Sequence, residues 1–312
     1  NYGRYIGNRY KNFNNIIWVA GGDQTPLPGS DREKNWIQIL LGIKDYAPNN
    51  LWTAHWSNDI NSFDVSAFRP YMDLNGIYAY ADSFTHEYIH QRMLSAYNNG
   101  EFPTFTFETE YEGGKVEGNT VSLQTIRRQA YESNLCGSTG QNFGSVYIFA
   151  FGFEFINEGS FDWRWGIEQS GSYYMTLVKQ LFSNRAWYDF VPDKDHTVIT
   201  SGYGTSGQIN YVSAARTNDG SLVMAYFPST GTGTRTFTVD LSKLSGTVTA
   251  QWYNPTNGEY ITISGSPFPN SGSRNFTTIG NNGTGTNDWI LVLTTESQCP
   301  DPIVSFRIEI IN

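Results

Sequence analysis

Apolar positions fall into two regimes along the chain. Up to about residue 190, short unbroken apolar runs alternate with stretches whose apolar residues recur every three or four positions. Beyond it, short period-two segments are separated by turns. In the first regime the run IIWVAGGD, Ile16 to Asp23, suits a strand buried on both faces, as in a parallel sheet. Further strands are expected over Leu51–Trp56, within Met72–Tyr80, from Pro103 to Glu108 and over Ser145–Phe151. Helices are expected between them: Tyr2–Phe13 (with Tyr2, Tyr5, Ile6 and Tyr10 as its apolar stripe), Arg32–Tyr46 with Asp31 as cap, His86–Tyr97, Val121–Leu135 and Ser172–Asn184. Gly137–Gly144 reads as a glycine-rich turn and Phe161–Gly166 as a loop rich in tryptophan. Such alternation implies right-handed βα crossovers, a parallel sheet, and part of a (β/α) barrel.

The second regime predicts strands at Ile209–Arg216, Leu222–Pro228, Arg235–Val239, Val248–Tyr253, Ile261–Ile263 and Trp289–Thr294. Asn218-Asp219-Gly220 and Asn257-Gly258 are hairpin signals. The expected class is α/β plus all-β: a barrel-type domain over 1–192, an antiparallel β-sandwich over 193–296, and a tail or new module over 297–312.

Composition narrows the function. A net charge of −9 argues against a nucleic-acid partner, because phosphate neutralisation needs basic patches. The 16% aromatic content suits sugar-ring stacking and core packing alike. Cys136 and Cys299 make no disulfide framework; Cys136 reads as a buried thiol. No apolar run is long enough for membrane insertion. The Gly, Ser, Thr and Asn richness of the second half fits an extracellular or cell-surface β domain. Four scattered histidines give no metal spacing, and the glycine-rich turn lacks the Lys-Ser/Thr ending of a phosphate loop, so no cofactor and no metal are expected.

The chemistry concentrates in PTFTFETEYEGG, Pro103 to Gly114. If the strand continues, Glu108, Glu110 and Glu112 share one face, and one of them must protonate, find a cation or turn away. From these residues alone, a catalytic carboxylate site and a solvated acidic loop are level readings. The Gly-Gly-Asp at Gly21–Asp23 adds a second carboxylate at a strand's C-terminal end. Two buried strands that each deliver a carboxylate this way form the arrangement a glycosidase needs.

These segments, in this order, resemble the apiosidase-like glycoside hydrolases. NNIIWVAGGDQTP resembles their WVLGGD strand, LWTAHW their LxTYHP strand, and FETEYEG their GEPxYE strand. IRRQAYESNLCGSTGQNFG resembles their VRRxAYWSxxAGAAGxTYG helix and turn, and WYDFVPD the exit from their barrel. WYNPTNGEY and NDWILVL resemble the signatures of the sandwich that follows, a module labelled for collagen binding in that family. The resemblance covers about residues 1–295. It implies Asp23 as acid/base and Glu108 as nucleophile, with His55 in the place of the family's histidine. Tyr111 and Glu112 take the places of the YE pair. Phe107, Thr109 and Trp56 depart from the family's Gly, Pro and Pro.

The GGD strand is the fourth of eight in that family. The resemblance therefore implies the C-terminal part of a (β/α)8 TIM barrel, with another chain or segment completing it. Expected substrate-binding residues are His55, Trp56, Asn75, Tyr78, Glu110, Tyr111, Glu112, Trp163 and Trp165, with Tyr80 a further cleft group and Glu110 alternatively paired to Arg127 or Arg128. The expected activity is retaining hydrolysis of a branched polysaccharide or oligosaccharide by a secreted enzyme. The alternative is a surface or filament-forming, carbohydrate-binding protein that keeps the hydrolase fold without the chemistry.

Overall fold

The computed structural model describes residues 1–80, 88–100, 103–116, 118–149, 151 and 162–295. By its internal contacts the chain divides into two compact units: Asn1–Glu110 with Ser138–Gly144, and Tyr111–Gly137 with the chain from Ser145 onward.

In the first unit α1 (Tyr2–Tyr10) leads into β1 (Ile17–Gly21), α2 (Asp31–Lys44), β2 (Leu51–His55), β3 (Asn75–Tyr78), α3 (Ile89–Asn98) and β4 (Thr104–Glu108). The stripe expected to bury α1 is realised only in part: Ile6 packs against the core of this unit and Tyr10 is half-buried. Tyr2 and Tyr5 are exposed, and α1 packs through Gly3 and Gly7, where a Cβ would strike the backbone of Ile39 and Ile43 in α2. Ser30, not Asp31, caps α2, accepting from the Glu33 amide at 3.2 Å. Its Leu40 and Ile43 join Trp52, Ala54, Trp56, Phe68 and Met72 in one apolar core.

β1 pairs parallel with β2, and β3 parallel with β4. Ser62 knits the two pairs. Its hydroxyl takes the Ala54 and Gly76 amides and donates to Ala54 O at 2.6 Å, while its own amide reaches Gly76 O. Beyond β4 the chain at 139–142 continues the parallel order, with Thr139 N to Thr104 O, Thr106 N to Gly140 O and Asn142 N to Thr106 O. The predicted glycine-rich turn thus serves partly as a sheet edge. β1 is not buried on both faces: Ile17 and Val19 are half exposed, and β2 is its one ladder neighbour among the described residues. No closed barrel forms among the described residues.

In the second unit a small hairpin, β5 (Lys115–Val116) and β6 (Asn119–Thr120), precedes α4 (Leu123–Leu135), α5 (Val146–Phe149), α6 (Trp163–Gly166) and α7 (Ser170–Ser183). The expected strand over Ser145–Phe151 is instead one parallel bridge, Glu112 to Ser145, followed by the turn of helix α5. A short apolar run alone does not separate strand from helix. The tryptophan loop likewise contains a helical turn, α6, capped by Asp162.

The sheet-rich part carries β7 (Phe190–Pro192), β8 (Ile199–Ser201), β9 (Ser213–Thr217), β10 (Leu222–Phe227), β11 (Thr236–Asp240), β12 (Val248–Tyr253), β13 (Tyr260–Thr262), β14 (Ser273–Thr277) and β15 (Trp289–Thr295). Six strands run in the order β13-β12-β15-β10-β9-β7, and three in the order β14-β11-β8. The two expected hairpins join β9 to β10 and β12 to β13. β7, β8 and β14 were not anticipated. β7 and β8 have three residues each and β14 is mostly exposed, so the period-two signal is weak.

Alternation sorts the large sheet's residues to two faces. Val223, Ala225, Phe227, Trp252, Leu291 and Leu293 fill the inter-sheet core. Met224, Tyr226, Tyr253, Ile290 and Val292 pack under α4 and α7. Cys136 caps α4 as a buried thiol, raised well above its ordinary range by burial. The tail at 297–312 and Cys299 lie outside the described residues.

Candidate active site

Two local devices, a tight turn and a bulge, build the first unit's polar centre at the C-terminal ends of its strands. After β1 the backbone passes through three positive φ values: Gly21 at 96°, Gly22 at 104° and Asp23 at 59°. A Cβ at Gly21 would stand 2.2 Å from His55 O, so only glycine lets the chain turn so closely over β2. Gly22 N then donates to His55 O at 2.8 Å. Thr25 and Ser57 exchange amide-to-hydroxyl bonds of 3.1 Å each, stapling the loop to the end of β2. Asp23 holds a left-handed conformation that is strained for a non-glycine residue, and such strain gathers at functional positions.

The second device is a register shift. Ile77 pairs with Thr106 but Tyr78 pairs with Glu108, so Phe107 is the extra residue of a bulge. The bulge upsets the alternation that puts every second side chain on one face. Consecutive residues can then both address His55: Phe107 stacks on the imidazole at 4.7 Å between centroids, and Glu108 Oε2 lies 2.6 Å from its Nε2. Tyr78 stacks on the imidazole as well, at 4.6 Å. The histidine packs against two rings, and its side chain is only 12% exposed.

Glu108 is tied in from both sides. Tyr80 OH donates to Glu108 Oε1 at 2.5 Å. Burial, followed by the charge of Glu108 and the nearness of Asp23, pushes the ionisation of the Tyr78 hydroxyl well above the usual phenol range. Tyr78 therefore stays neutral across the pH range of ordinary activity. One donor or acceptor atom each from Asp23, His55 and Glu108 lies within 4.8 Å of the others. The histidine spacing in sequence carries no metal pattern, yet folding gathers three atoms that are close enough to share a cation.

The other expected site residues go elsewhere. Trp56 is fully buried, stacked on Trp36 at 6.2 Å and donating from Nε1 to Ser62 O, so it is core and not a sugar platform. Asn75 opens β3 opposite Thr104, at the strands' N-terminal ends, while Asp23 and Glu108 mark the C-terminal ends; it does not face the same mouth. The carboxylates of the FETEYE segment do not share one strand face, because β4 stops at Glu108. Glu110 is buried. Arg127, offered as its partner, instead makes a two-pronged pair with Asp288 at 2.8 and 2.9 Å.

Glu112 belongs to the second unit. It accepts from the Gly171 amide in the first turn of α7 at 2.6 Å, and burial raises its carboxyl above the usual range. Tyr111 meets Phe149 edge-on, and Trp163 stacks on Phe151 with planes 3° apart. Trp165 is 46% exposed and meets Tyr147 edge-on.

Sequence reading missed Phe107 as a ring stacked on the histidine. An aromatic directly before a strand-end acid is its only trace. It also gave Tyr80 no partner, since the reach from Tyr80 to Glu108 depends on the bulge.

Comparison with known proteins follows this geometry. Residues 1–189 match the family model described as "Apiosidase-like, catalytic domain", and residues 191–294 match "Putative collagen-binding domain of a collagenase". No curated protein matches. Among solved structures, one titled "Glycoside hydrolase" superposes with TM-score 0.79 at 24% identity, over 96% of this chain and 69% of its own. A glycoside hydrolase family 5 structure from Bacteroides vulgatus ATCC 8482 gives 0.78 at 23%, over 96% and 67%. A glycoside hydrolase family 30 subfamily 8 xylanase from Clostridium acetobutylicum gives 0.52 at 16%, over 94% and 71%.

The fold is thus glycoside-hydrolase-like with a C-terminal sheet-rich domain, and the protein is of the glycoside hydrolase class. The chain belongs to the apiosidase-like family. Among the described residues no helix is long and apolar enough to cross a membrane.

Proposed function

We propose that the protein is a retaining glycosidase, with Glu108 as nucleophile and Asp23 as acid/base. The observation that carries this reading is that a carboxylate oxygen of Asp23 and one of Glu108 lie within 4.8 Å of each other, which brings the two carboxyl groups into one small site. Retaining enzymes hold their carboxyl groups about 5–5.5 Å apart, whereas inverting ones leave about 6.5–9.5 Å for a water. Glu108 attacks the anomeric carbon while Asp23 delivers a proton to the leaving oxygen. Water, deprotonated by Asp23, then releases the sugar from Glu108. Tyr80 and His55 orient the nucleophile.

The substrate we infer is a branched polysaccharide or an oligosaccharide derived from one, met outside the cell. The acidic, Gly/Ser/Thr-rich composition supports that setting. We place the functional boundary between a catalytic domain and a sandwich at 192/193, and read the open edge of β1 as the place where further parallel strands pack, from another segment or chain.

The test is reducing-sugar release from a panel of plant and microbial polysaccharides. Asp23→Asn and Glu108→Gln should each lower the rate by about 10²–10⁴-fold while the melting temperature holds. Rates unchanged in both variants would refute the mechanism and favour a binding protein.

A further inference from the structure

The second unit has an open cleft of about 650 Å³ where the end of α7 meets β12 and β13. α4 and α7 cover one face of the six-stranded sheet, and beyond the last turn of α7 that cover stops. The volume lies within the range of sites that hold small ligands.

Arg185, just past the end of α7, stands in the wall of this cleft. Its Nη1 donates to Leu181 O at 2.6 Å and its Nη2 to Tyr260 OH at 2.9 Å. A carbonyl and a phenol accept hydrogen bonds, but neither is an anion. The carbonyl end of α7 offsets only part of a unit charge. Among the described residues no carboxylate meets this guanidinium, and no acidic side chain lines the cleft. A guanidinium has more N–H donors than these two bonds use. One of the rest, Nε, is buried and has no partner. The cation thus keeps both unspent donors and an uncancelled charge, the costly state that an anionic partner relieves. It is also held in place. The Tyr260 ring lies 5.5 Å from it and packs on Tyr253, whose hydroxyl donates to Leu177 O at 3.0 Å. An arginine fixed in advance gives up little freedom when a ligand arrives.

The rest of the wall is neutral and hydrogen-bonding. Gln180 and Asn184 come from the end of α7, Gln251 from the helix-facing side of β12, and Thr294 from β15. The amides of Gln180, Asn184 and Gln251 make no hydrogen bond among the described residues, so each offers both a donor and an acceptor.

We propose that this cleft is a non-catalytic binding site for a carboxylated saccharide, with the carboxylate on Arg185 and the ring hydroxyls on the amides. The charge count selects the acid group. Arg185 is the one cation in the wall among the described residues, so a monoanion balances it, and a planar carboxylate matches its fork. A phosphate monoester carries about −1.5 to −2 at neutral pH and would leave charge unmatched. The amides select a hydroxylated framework, because a hydroxyl also donates and accepts at once. That this framework is a sugar rests on the hydrolase reading, but the binding does not use Asp23 or Glu108.

The test is calorimetric titration of the full 312-residue chain carrying Glu108→Gln with trigalacturonate, its methyl ester, acetate and inorganic phosphate. Trigalacturonate should bind, and the uncharged ester should bind at least about tenfold more weakly, the loss expected for charge-assisted hydrogen bonds. Arg185→Gln should raise the Kd for trigalacturonate by a similar factor. Because Arg185 also braces the end of α7, a second variant leaves that brace intact: Gln251→Glu puts an acid of the same size into the cleft, and should weaken binding about tenfold with the melting temperature held. No binding of trigalacturonate, equal binding of the ester, acetate or phosphate binding as tightly, or a Kd unmoved by Gln251→Glu would each overturn the proposal. Wild-type reducing-sugar release is a separate readout: its absence defeats the hydrolase reading and leaves the titrations to decide this one.

Discussion

His55 shows how much one residue depends on its neighbours. The imidazole stacks on both Tyr78 and Phe107, so ring packing helps hold its Nε2 at 2.6 Å from Glu108. Trp56, one residue on, points into the core. Trp56→Ala should cost about 3–5 kcal/mol of stability in a urea melt, whereas Trp165→Ala, at an exposed position, should stay within about 1 kcal/mol. Equal losses would mean that burial has been misread at one of them. Glu112 gives a pH test. Its folded carboxyl is raised above its unfolded value by burial, so the folded state holds the proton more tightly. The stability this contributes is present below the unfolded value and is lost as pH rises through the folded one. Glu112→Gln keeps an oxygen for the Gly171 amide and cannot ionise. The melting temperature of wild type relative to this variant should therefore fall from pH 4 to pH 7; a constant difference would show that the carboxyl does not titrate as described.

Among the elements, those set by local chemistry were readable and those set by tertiary context were not. The Gly-Gly-Asp turn was legible because the φ values of 96° and 104° at its first two positions favour glycine. Gly21→Ala should cost about 1–3 kcal/mol from strain alone. It should also lower activity by about 100-fold, as Asp23 is pushed from its place; full activity would show that the turn does not position the acid. The bulge at Phe107 has no such signature. It arises from the register between β3 and β4, and it overrides the period-two reading that set Glu108, Glu110 and Glu112 on one face. The apolar run after Ser145 was ambiguous for a different reason. Its length suits a strand or a buried helical turn, and the bridge to Glu112 followed by α5 uses both. The tyrosines of α1 misled because aromatic spacing was given more weight than the two glycines that let α2 approach.

For the molecule as a whole, the change of period near residue 190 foresaw the passage from βα units to antiparallel strands, and the two hairpin signals gave correct neighbours. What the pattern did not foresee is that α4 and α7 belong by contact to the sheet-rich unit, covering its second face. The fully buried tie from Arg127 to Asp288, 161 residues away, fastens α4 to the start of β15. Neither partner signals the other in sequence, because the pairing exists only once both elements are packed. The two carboxylates of the proposed site were legible as strand-end acids, but their separation was not; it is the product of the tight turn at Gly21–Asp23 and the bulge in β4. That separation carries the mechanism. The most direct measurement is proton NMR of the first-formed sugar, taken before its anomers equilibrate, on whichever polysaccharide the enzyme cleaves. With one oxygen of each carboxylate within 4.8 Å, the proposed retaining mechanism predicts product with the anomeric configuration of the substrate; the opposite anomer appearing first would contradict the account.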